Sequence, residues 1–199
     1  MNSKERAREI FRQRGIVRTR DALELGIHPV TLYRMRDEGE LQQLERGVYK
    51  LADSPELTDP DLVAAAVRAP DAVVCLISAL SLHDLTTEVP HAIHLAVRRG
   101  GTRPVFTEFP VRLYTFHQKA FQAGVIERDL QGTAIRLYNP EKALVDVFHY
   151  RNRLGMDVFL EALSLYRRRP DASPQRVLAY AHVWQATRTL QPYLEQAFA

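Results

Sequence analysis

One short segment in the first quarter of the chain carries side chains that suit contact with the bases of duplex DNA. Arg34 has a forked guanidinium that can donate two hydrogen bonds to the edge of a guanine, and Thr31 offers a methyl group and a hydroxyl. Tyr33 or His28 could equally bond to phosphate at the wall of the groove. The four candidates for reading bases are Thr31, Tyr33, Arg34 and Asp37.

Four further basic residues could contact the DNA backbone. Arg46 would lie at the tip of a predicted hairpin and Lys50 on its second strand, where a basic side chain suits the minor groove or a phosphate. Arg18 and Arg20 lie beside the start of a predicted helix. Taken alone, each base-reading candidate is equally well explained as part of a solvated helix face. A DNA-binding role therefore requires secondary-structure elements that would hold these side chains together.

The apolar periodicity predicts a helix-turn-helix. Helical segments are predicted at residues 3–15, 19–26 and 29–39. Ser3 is a plausible N-cap of the first helix, and Gly26 suits the residue that follows the second. Pro29 is predicted to be the first residue of the third helix. Proline is favoured at this position because a backbone N–H there would have no partner within the helix. Leu32 and Met35 would pack on the first two helices and turn the four base-reading candidates outward.

A hairpin is predicted directly behind the third helix. After Gly39 the period becomes extended, and Leu41 and Leu44 lead into a turn at Glu45-Arg46-Gly47 and a second strand at 48–51. A hairpin in this position is typical of the wing of a winged helix-turn-helix. A generic three-helix unit with a hairpin for protein contact is the alternative.

The charge is unevenly distributed along the chain. Residues 1–52 hold 11 Lys or Arg against 8 Asp or Glu, a surplus of 11 − 8 = 3, whereas residues 53–199 hold 16 of each. The whole net charge of +3 therefore lies in the first quarter, where the helix-turn-helix is predicted. The surplus is small for a DNA-binding segment, so the helical pattern supports the prediction more than the charge does.

Nothing in the sequence indicates secretion or a membrane partner. A single cysteine, Cys75, cannot form an internal disulfide, and the N-terminus is charged where a signal peptide needs an apolar core. No stretch approaches the roughly 18 uninterrupted apolar residues that a membrane span needs. We therefore expect a cytoplasmic location.

A second domain is predicted after the polar joint at residues 53–59. We place a winged helix-turn-helix domain at 1–54 and a larger α/β domain with a helical C-terminal part at 55–199, which makes the fold class mixed α/β (α+β). Strands are predicted at 72–77, 92–97, 111–116 and 134–138. Helices are predicted from Pro60, at 78–85, from Pro140, and at 156–168, 173–182 and 186–198.

The second domain is predicted to lack a catalytic centre. Ser78, Ser81, His83 and Asp84 include the residue types of a hydrolytic triad, but they crowd one predicted helix and lack a Gly-x-Ser-x-Gly elbow. No lysine follows a carboxylate at the spacing of an acid-x-Lys nuclease strand, and no Gly-x-Gly-x-x-Gly or P-loop occurs. We predict no catalytic residue and no cofactor.

A metal site is not predicted either. His83, His91 and His94 have no cysteine partner and fit no zinc spacing, so core or surface positions explain them better. Cys75 lies in an apolar run and is predicted to be a buried, inert thiol.

Four segments together resemble the AbiEi-type antitoxins of type IV toxin–antitoxin systems. They are GIHPVTLYRMRDEGEL at 26–41, ERGVYKL at 45–51, SALSLHDL at 78–85 and YNPEKALVD at 138–146. The resemblance spans most of residues 1–150. It implies an antitoxin that represses its own operon by binding promoter DNA through its N-terminal domain. It also implies that the C-terminal domain counters a nucleotidyltransferase-like toxin, physically or only functionally.

Three function classes remain open. An autorepressing antitoxin is the first, a stand-alone transcription factor whose C-terminal domain senses a small ligand is the second, and a cryptic nuclease or other DNA enzyme is the third. A neighbouring nucleotidyltransferase gene would favour the first class, and an apolar pocket with convergent polar groups the second. Metal-dependent DNA cleavage would favour the third.

Overall fold

The structure is a computed structural model that describes residues 2–199. The described residues form two compact units. The first comprises the residues up to Pro70, with Pro104–Pro110 and Arg128–Ile135, and the second comprises Asp71–Arg103, Val111–Glu127 and Arg136–Ala199. The combination of helices with a mixed sheet confirms the predicted fold class. A division of function between 1–54 and 55–199 stays a prediction.

The first unit contains the predicted three helices and hairpin, followed by a fourth helix. The elements are α1 (Ser3–Arg14), β1 (Ile16–Arg18), α2 (Thr19–Glu24), α3 (Pro29–Asp37), β2 (Leu41–Glu45), β3 (Val48–Leu51) and α4 (Pro60–Arg68). Their order is that of a winged helix-turn-helix, with β2 and β3 as the wing.

The N-cap of the first helix lies one residue earlier in the sequence than predicted. Asn2, not Ser3, is the N-cap, and its side chain accepts hydrogen bonds from the backbone N–H groups of Lys4 and Glu5 at 2.9 Å. The Glu5 carboxylate accepts the N–H of Asn2 at 2.8 Å, which completes a capping box. Ser3 is therefore the first residue of the helix, and its hydroxyl is available for a tertiary contact.

A three-stranded antiparallel sheet completes the first unit, in the order β1-β3-β2. The short extended link predicted at Ile16 and Val17 is the strand β1, in which Val17 lies opposite Tyr49 of β3. The helix α4, which lies within the predicted second domain at 55–199, packs against all three strands of this sheet. The buried core between helices and sheet consists of Ala7, Phe11, Val17, Ala22, Ile27, Leu32, Met35, Leu41, Tyr49 and Leu51.

The second unit contains most of a five-stranded mixed sheet with the order β6-β5-β4-β8-β7, although residues 128–135 at the end of the β7–β8 hairpin belong to the first unit. Its strands are β4 (Val73–Val74), β5 (Ile93–Arg98), β6 (Val111–Phe116), β7 (Val125–Leu130) and β8 (Thr133–Tyr138). Its helices are α5 (Leu76–Leu82), α6 (Gln118–Gln122), α7 (Pro140–His149), α8 (Arg151–Leu154), α9 (Met156–Tyr166), α10 (Pro174–Ala181) and α11 (Thr187–Phe198), with a 3₁₀ turn at His182–Trp184. The strand β4 is antiparallel to β5 and parallel to β8.

Several elements of the second unit differ from the predicted ones for identifiable reasons. The strand predicted at 72–77 stops at Val74, because the backbone turns at Leu76 with φ of 50° and α5 starts there. The strand β7 was not predicted because most of its residues are exposed and show no apolar alternation. The five-residue helix α6 is too short for a periodic signal. Among residues 2–199, no helix combines the length and the apolar character that a membrane crossing requires.

The helix α7 carries an ion pair that is sealed from solvent. Nζ of Lys142 donates to both carboxylate oxygens of Asp146 at 2.5 and 2.7 Å, and both side chains are 0% exposed. Nε1 of Trp184 donates to the same carboxylate at 2.6 Å. The ammonium lies 4.1 Å from the centre of the Tyr138 ring and 5.0 Å from that of Phe116. Burial raises the pKa of Asp146 and lowers that of Lys142, and the pairing opposes both shifts.

Removing one partner of this pair should be costly. Asp146→Asn is expected to lower the free energy of unfolding by roughly 3–5 kcal/mol, because the charge of Lys142 would stay buried without its partner. Urea denaturation of the full chain measures this loss. The control Glu127→Gln removes an exposed carboxylate and should change the free energy of unfolding by less than about 0.5 kcal/mol. A loss for Asp146→Asn as small as that of the control would contradict this account.

Candidate nucleic-acid interface

The orientation of α3 is set by two apolar side chains. Leu32 and Met35 are both 0% exposed and lie in the core, where α3 packs against α1 and α2. The helix starts as predicted, with Pro29 as its first residue. His28 is the N-cap, and its Nδ1 accepts the N–H of Val30 at 3.3 Å. Its side chain is exposed, so the other ring nitrogen is accessible to a ligand.

The opposite face of α3 is open to solvent. Val30 is 62% exposed and Tyr33 is 43% exposed, and Arg34 and Asp37 are exposed as well. These four positions are spaced by three, one and three residues, which places them on one stripe of an α-helix. Tyr33, Arg34 and Asp37 therefore lie together as predicted. Val30 was not a candidate, although the same spacing would have identified it.

The prediction that Thr31 faces outward is wrong. Thr31 is 7% exposed, and its hydroxyl lies 3.0 Å from the hydroxyl of Ser3, at the first residue of α1. The physical reason is the helical period: Thr31 precedes Met35 by four residues, so it shares the inward stripe. The hydrogen bond to Ser3 satisfies the polar group at this buried position.

Arg34 and its neighbour Arg36 differ in their local partners. Within residues 2–199, the guanidinium of Arg34 has no hydrogen bond, ion pair or ring contact. Arg36 donates to the Asp37 carboxylate at 2.7 Å and lies 5.4 Å above the centre of the Tyr33 ring. Arg36, which was not among the predicted contact residues, is thus a component of this surface. Arg34 is the cation left available for an external acceptor.

The wing, which follows α3 in the sequence, carries a second exposed arginine. Arg46 lies in the turn between β2 and β3 with its side chain exposed and, among the described residues, unpaired. Gly47 follows with φ of 75°, a conformation that glycine adopts without strain. The Gly47 carbonyl accepts the N–H of Thr19 at 2.9 Å, which fixes the turn against the start of α2.

Lys50 is not available as the wing contact that was predicted. It is 6% exposed, and its Nζ lies 3.4 Å from the carbonyl oxygens of Ser54 and Pro55. Lys50 is on β3, the central strand of the sheet, so its side chain is covered and runs to the linker. Lys50 therefore has a structural role, and the predicted DNA contact at this residue is wrong.

Arg18 and Arg20 are near the start of α2, and each has an acidic partner. Arg18 donates two hydrogen bonds to Asp21, at 2.7 and 2.8 Å, and this contact holds the pKa of the carboxyl below its usual value. Arg20 pairs with Glu24 at 3.2 Å, with both side chains largely exposed. Exposed pairs of this kind contribute little to stability, so Arg20 can exchange Glu24 for a phosphate at low cost.

Two of the triad-like residues of the second unit, Ser78 and His83, bond to backbone groups. The Ser78 hydroxyl accepts the N–H of His94 at 2.9 Å, and Nε2 of His83 bonds to the carbonyl of Tyr138 at 2.8 Å. Asp84 is exposed and has φ of 57°, at the turn that ends α5. Ser78 and His83 thus hold backbone groups in place, and Asp84 lies at a turn with its side chain exposed.

The histidines do not converge on a metal position. His83 and His94 are buried, whereas His91 is exposed. Burial lowers the pKa of His94 to about 4, so it is neutral at physiological pH. Within the part of the chain that the structure describes, no group of three or more His, Cys, Asp or Glu side chains is arranged to hold a metal ion. Cys75 is buried as predicted, which raises the pKa of its thiol well above the usual value.

Residues 5–52 match the model of a protein family described as transcriptional regulator, AbiEi antitoxin. The resemblance to AbiEi-type antitoxins is confirmed over this segment. The matched segment runs from α1 to the end of the wing, so it contains all nine candidate residues.

The whole chain resembles the crystal structure of the RV2827C protein from Mycobacterium tuberculosis. The TM-score is 0.55 at 17% sequence identity, over 98% of this chain and 81% of that chain, which indicates a shared fold. An antigenic nucleotidyltransferase-like protein from Paracoccidioides brasiliensis aligns at a TM-score of 0.37 and 13% identity, over 71% of this chain and 95% of that chain. That score is too low to indicate a common fold. No curated protein matches the sequence.

The two sides of α3 should respond differently to substitution. Thr31→Val is expected to lower the free energy of unfolding by about 1 kcal/mol, because it leaves the Ser3 hydroxyl without its partner. Arg34→Ala should change it by less than about 0.5 kcal/mol, because Arg34 is exposed and unpaired. Thr31→Ser keeps the hydroxyl and serves as the control. Urea denaturation measures the free energy of unfolding of each variant. Equal losses of this free energy in Thr31→Val and Arg34→Ala would refute the orientation of α3.

Proposed function

We propose that the protein binds duplex DNA in a sequence-specific manner through α3 and the wing. The observation that carries the proposal is Arg34, an exposed guanidinium without a partner among the described residues, in the middle of the outward stripe of α3. The recognition helix of a helix-turn-helix lies in the major groove, where a forked guanidinium pairs with the edge of a guanine.

The neighbours of Arg34 have chemistry that suits the same groove. Val30 offers methyl groups that can contact the methyl of a thymine, and the carboxylate of Asp37 can accept a hydrogen bond from a cytosine. Tyr33 and His28 can bond to phosphates at the wall of the groove. At the wing, the exposed Arg46 supplies a phosphate or minor-groove contact that carries little sequence information.

We further propose that this DNA binding represses the protein's own toxin–antitoxin operon, and that the chain counters a nucleotidyltransferase-like toxin. The support for this part is the family description that matches residues 5–52. In this proposal, the helix-turn-helix serves repression and the larger α/β part serves protection from the toxin. The two activities should therefore be separable by substitutions on the outward stripe of α3.

The first test is DNA binding in vitro. The full chain should bind its own promoter fragment with a dissociation constant below about 1 μM, and the affinity should fall as the salt concentration rises. Arg34→Ala should reduce the preference for promoter over random duplex by roughly 1–3 kcal/mol, as expected for a lost bidentate contact to guanine. Arg46→Ala should weaken binding to both duplexes about equally.

The matched control is Arg188→Ala, which removes an exposed arginine of α11 and should leave both affinities unchanged. Equal affinity of the unaltered chain for promoter and random duplex at physiological salt would reject specific binding. An unchanged preference in Arg34→Ala would reject the assignment of the reading face.

The second test is made in cells that carry the toxin gene and a promoter reporter. The full chain with Arg34→Ala should lose repression of the reporter and still protect the cells, because the substitution changes only an exposed side chain of α3. Immunoblots confirm that the variant accumulates to the same level as the unaltered chain. Repression without protection by the unaltered chain would contradict the antitoxin role and favour a stand-alone regulator.

A further inference from the structure

Glu45 is a buried carboxylate at the base of the wing. It is the last residue of β2 and is 0% exposed, although the two residues that follow form the solvent-exposed turn. The register between β2 and β3 shifts between Gln43 and Glu45, an irregularity of the kind that redirects side chains at the end of a strand. A buried glutamate must have hydrogen-bond donors around it, because an unpaired buried charge is strongly unfavourable.

Four donors surround this carboxylate, and three of them come from one distant segment of the chain. Oε1 accepts the N–H of Arg46 at 2.7 Å and the hydroxyl of Thr107 at 2.9 Å. Oε2 accepts the N–H groups of Thr107 and Glu108, both at 3.1 Å. Burial alone would raise the pKa of Glu45, but the hydrogen bonds from Arg46, Glu108 and Thr107 together outweigh it and hold the pKa below its usual value, so the carboxyl is ionised at neutral pH.

The segment 104–110 belongs to the same compact unit as the helix-turn-helix. We call it the strap. Its bonds to Glu45 join residues that are 62 and 63 positions apart in the sequence. Phe109 of the strap is 8% exposed, and its ring lies 5.7 Å from that of Phe106. The winged helix-turn-helix is therefore completed by residues that lie well outside its contiguous sequence.

We propose that Glu45 is a positioning residue for DNA binding. Through its hydrogen bonds to the strap, Glu45 holds the wing turn and Arg46 in the geometry that contacts DNA. The inference rests on the proposed function. One carboxylate oxygen holds the backbone of Arg46 directly, and both oxygens are anchored by the strap, so the turn is fixed on this side. On the other side, Thr19 holds the carbonyl of Gly47.

Glutamate fits the four donors at this position better than glutamine or aspartate does. Both of its oxygens accept two hydrogen bonds each, whereas the amide of a glutamine has a single acceptor oxygen and would turn its NH₂ group toward N–H donors. An aspartate is shorter by one methylene group and would draw the carboxylate away from the strap. Glu45→Gln should therefore release the strap with almost no change in side-chain volume.

The first experiment needs no DNA. Hydrogen exchange of the full chain, followed by NMR, should show protected amides at Arg46, Thr107 and Glu108. In Glu45→Gln this protection should be lost, while the amides of α1 and α3 keep theirs. The control Glu56→Gln removes an exposed carboxylate in the same unit and should leave every amide unchanged. Full protection at Thr107 and Glu108 in Glu45→Gln would overturn the proposal.

The second experiment measures coupling to Arg46. Glu45→Gln should weaken binding to the promoter fragment roughly tenfold and reduce the slope of log affinity against log salt by about one, as expected when one phosphate contact is lost. Arg46→Ala should then cost far less in the Glu45→Gln background than in the unaltered chain. Full additivity of the two substitutions would overturn the positioning role, as would an equal loss in Glu56→Gln.

A milder pair of variants serves if Glu45→Gln does not fold. Thr107→Val removes one of the four hydrogen bonds and should weaken promoter binding in the same direction, whereas Thr107→Ser keeps the hydroxyl and should restore it. Equal binding by these two variants would overturn the proposal. A chain that binds no promoter DNA at all would reject the proposed function, and hydrogen exchange would still show whether Glu45 holds the strap.

Discussion

The inward packing of Leu32 and Met35 is the constraint on which the candidate interface depends. These two side chains fill the core of the first unit, and a residue step in an α-helix is about 100°, so their burial fixes the rotation of α3 about its axis. Turning the helix by one residue would bring Arg34 or Arg36, depending on the direction, to the position of Met35 and would expose apolar surface. The outward stripe is thus a by-product of core packing, and Thr31 became a core residue for the same reason.

Which cations remain unpaired matters more for this protein than its net charge. Near the helix-turn-helix, Lys4 and Arg8 pair with Glu40, and Arg18 and Arg20 pair with acidic residues of α2. Local ion pairs of this kind contribute little to stability, but they lower the field that an approaching phosphate meets. In the described part of the chain, the exposed cations without an acidic partner include Arg34 on the outward stripe of α3 and Arg46 at the wing turn, together with Arg12 and Arg14 of α1.

Buried polar groups play the same structural part in both units. In the second unit the carboxylate of Asp146 is satisfied by Lys142 and Trp184, and in the first unit the carboxylate of Glu45 is satisfied by Arg46 and the strap. Each arrangement surrounds a charged group that is removed from water with directed hydrogen bonds, which restrict the positions that the group can take. In the first unit, the hydrogen bonds of Glu45 connect the wing to the strap, a segment that is distant in the sequence.

The sequence by itself determined the elements whose signals are local. Pro29 and Gly26 predicted the turn before α3, Asn139 and Pro140 predicted the start of α7, and the fold class followed from the succession of such elements. Only the tertiary structure decided the burial of Lys50 and the partners of Glu45. The reason is that these depend on which strand is central in the sheet and on contacts across some 62 residues, and neither leaves a periodic pattern in the chain.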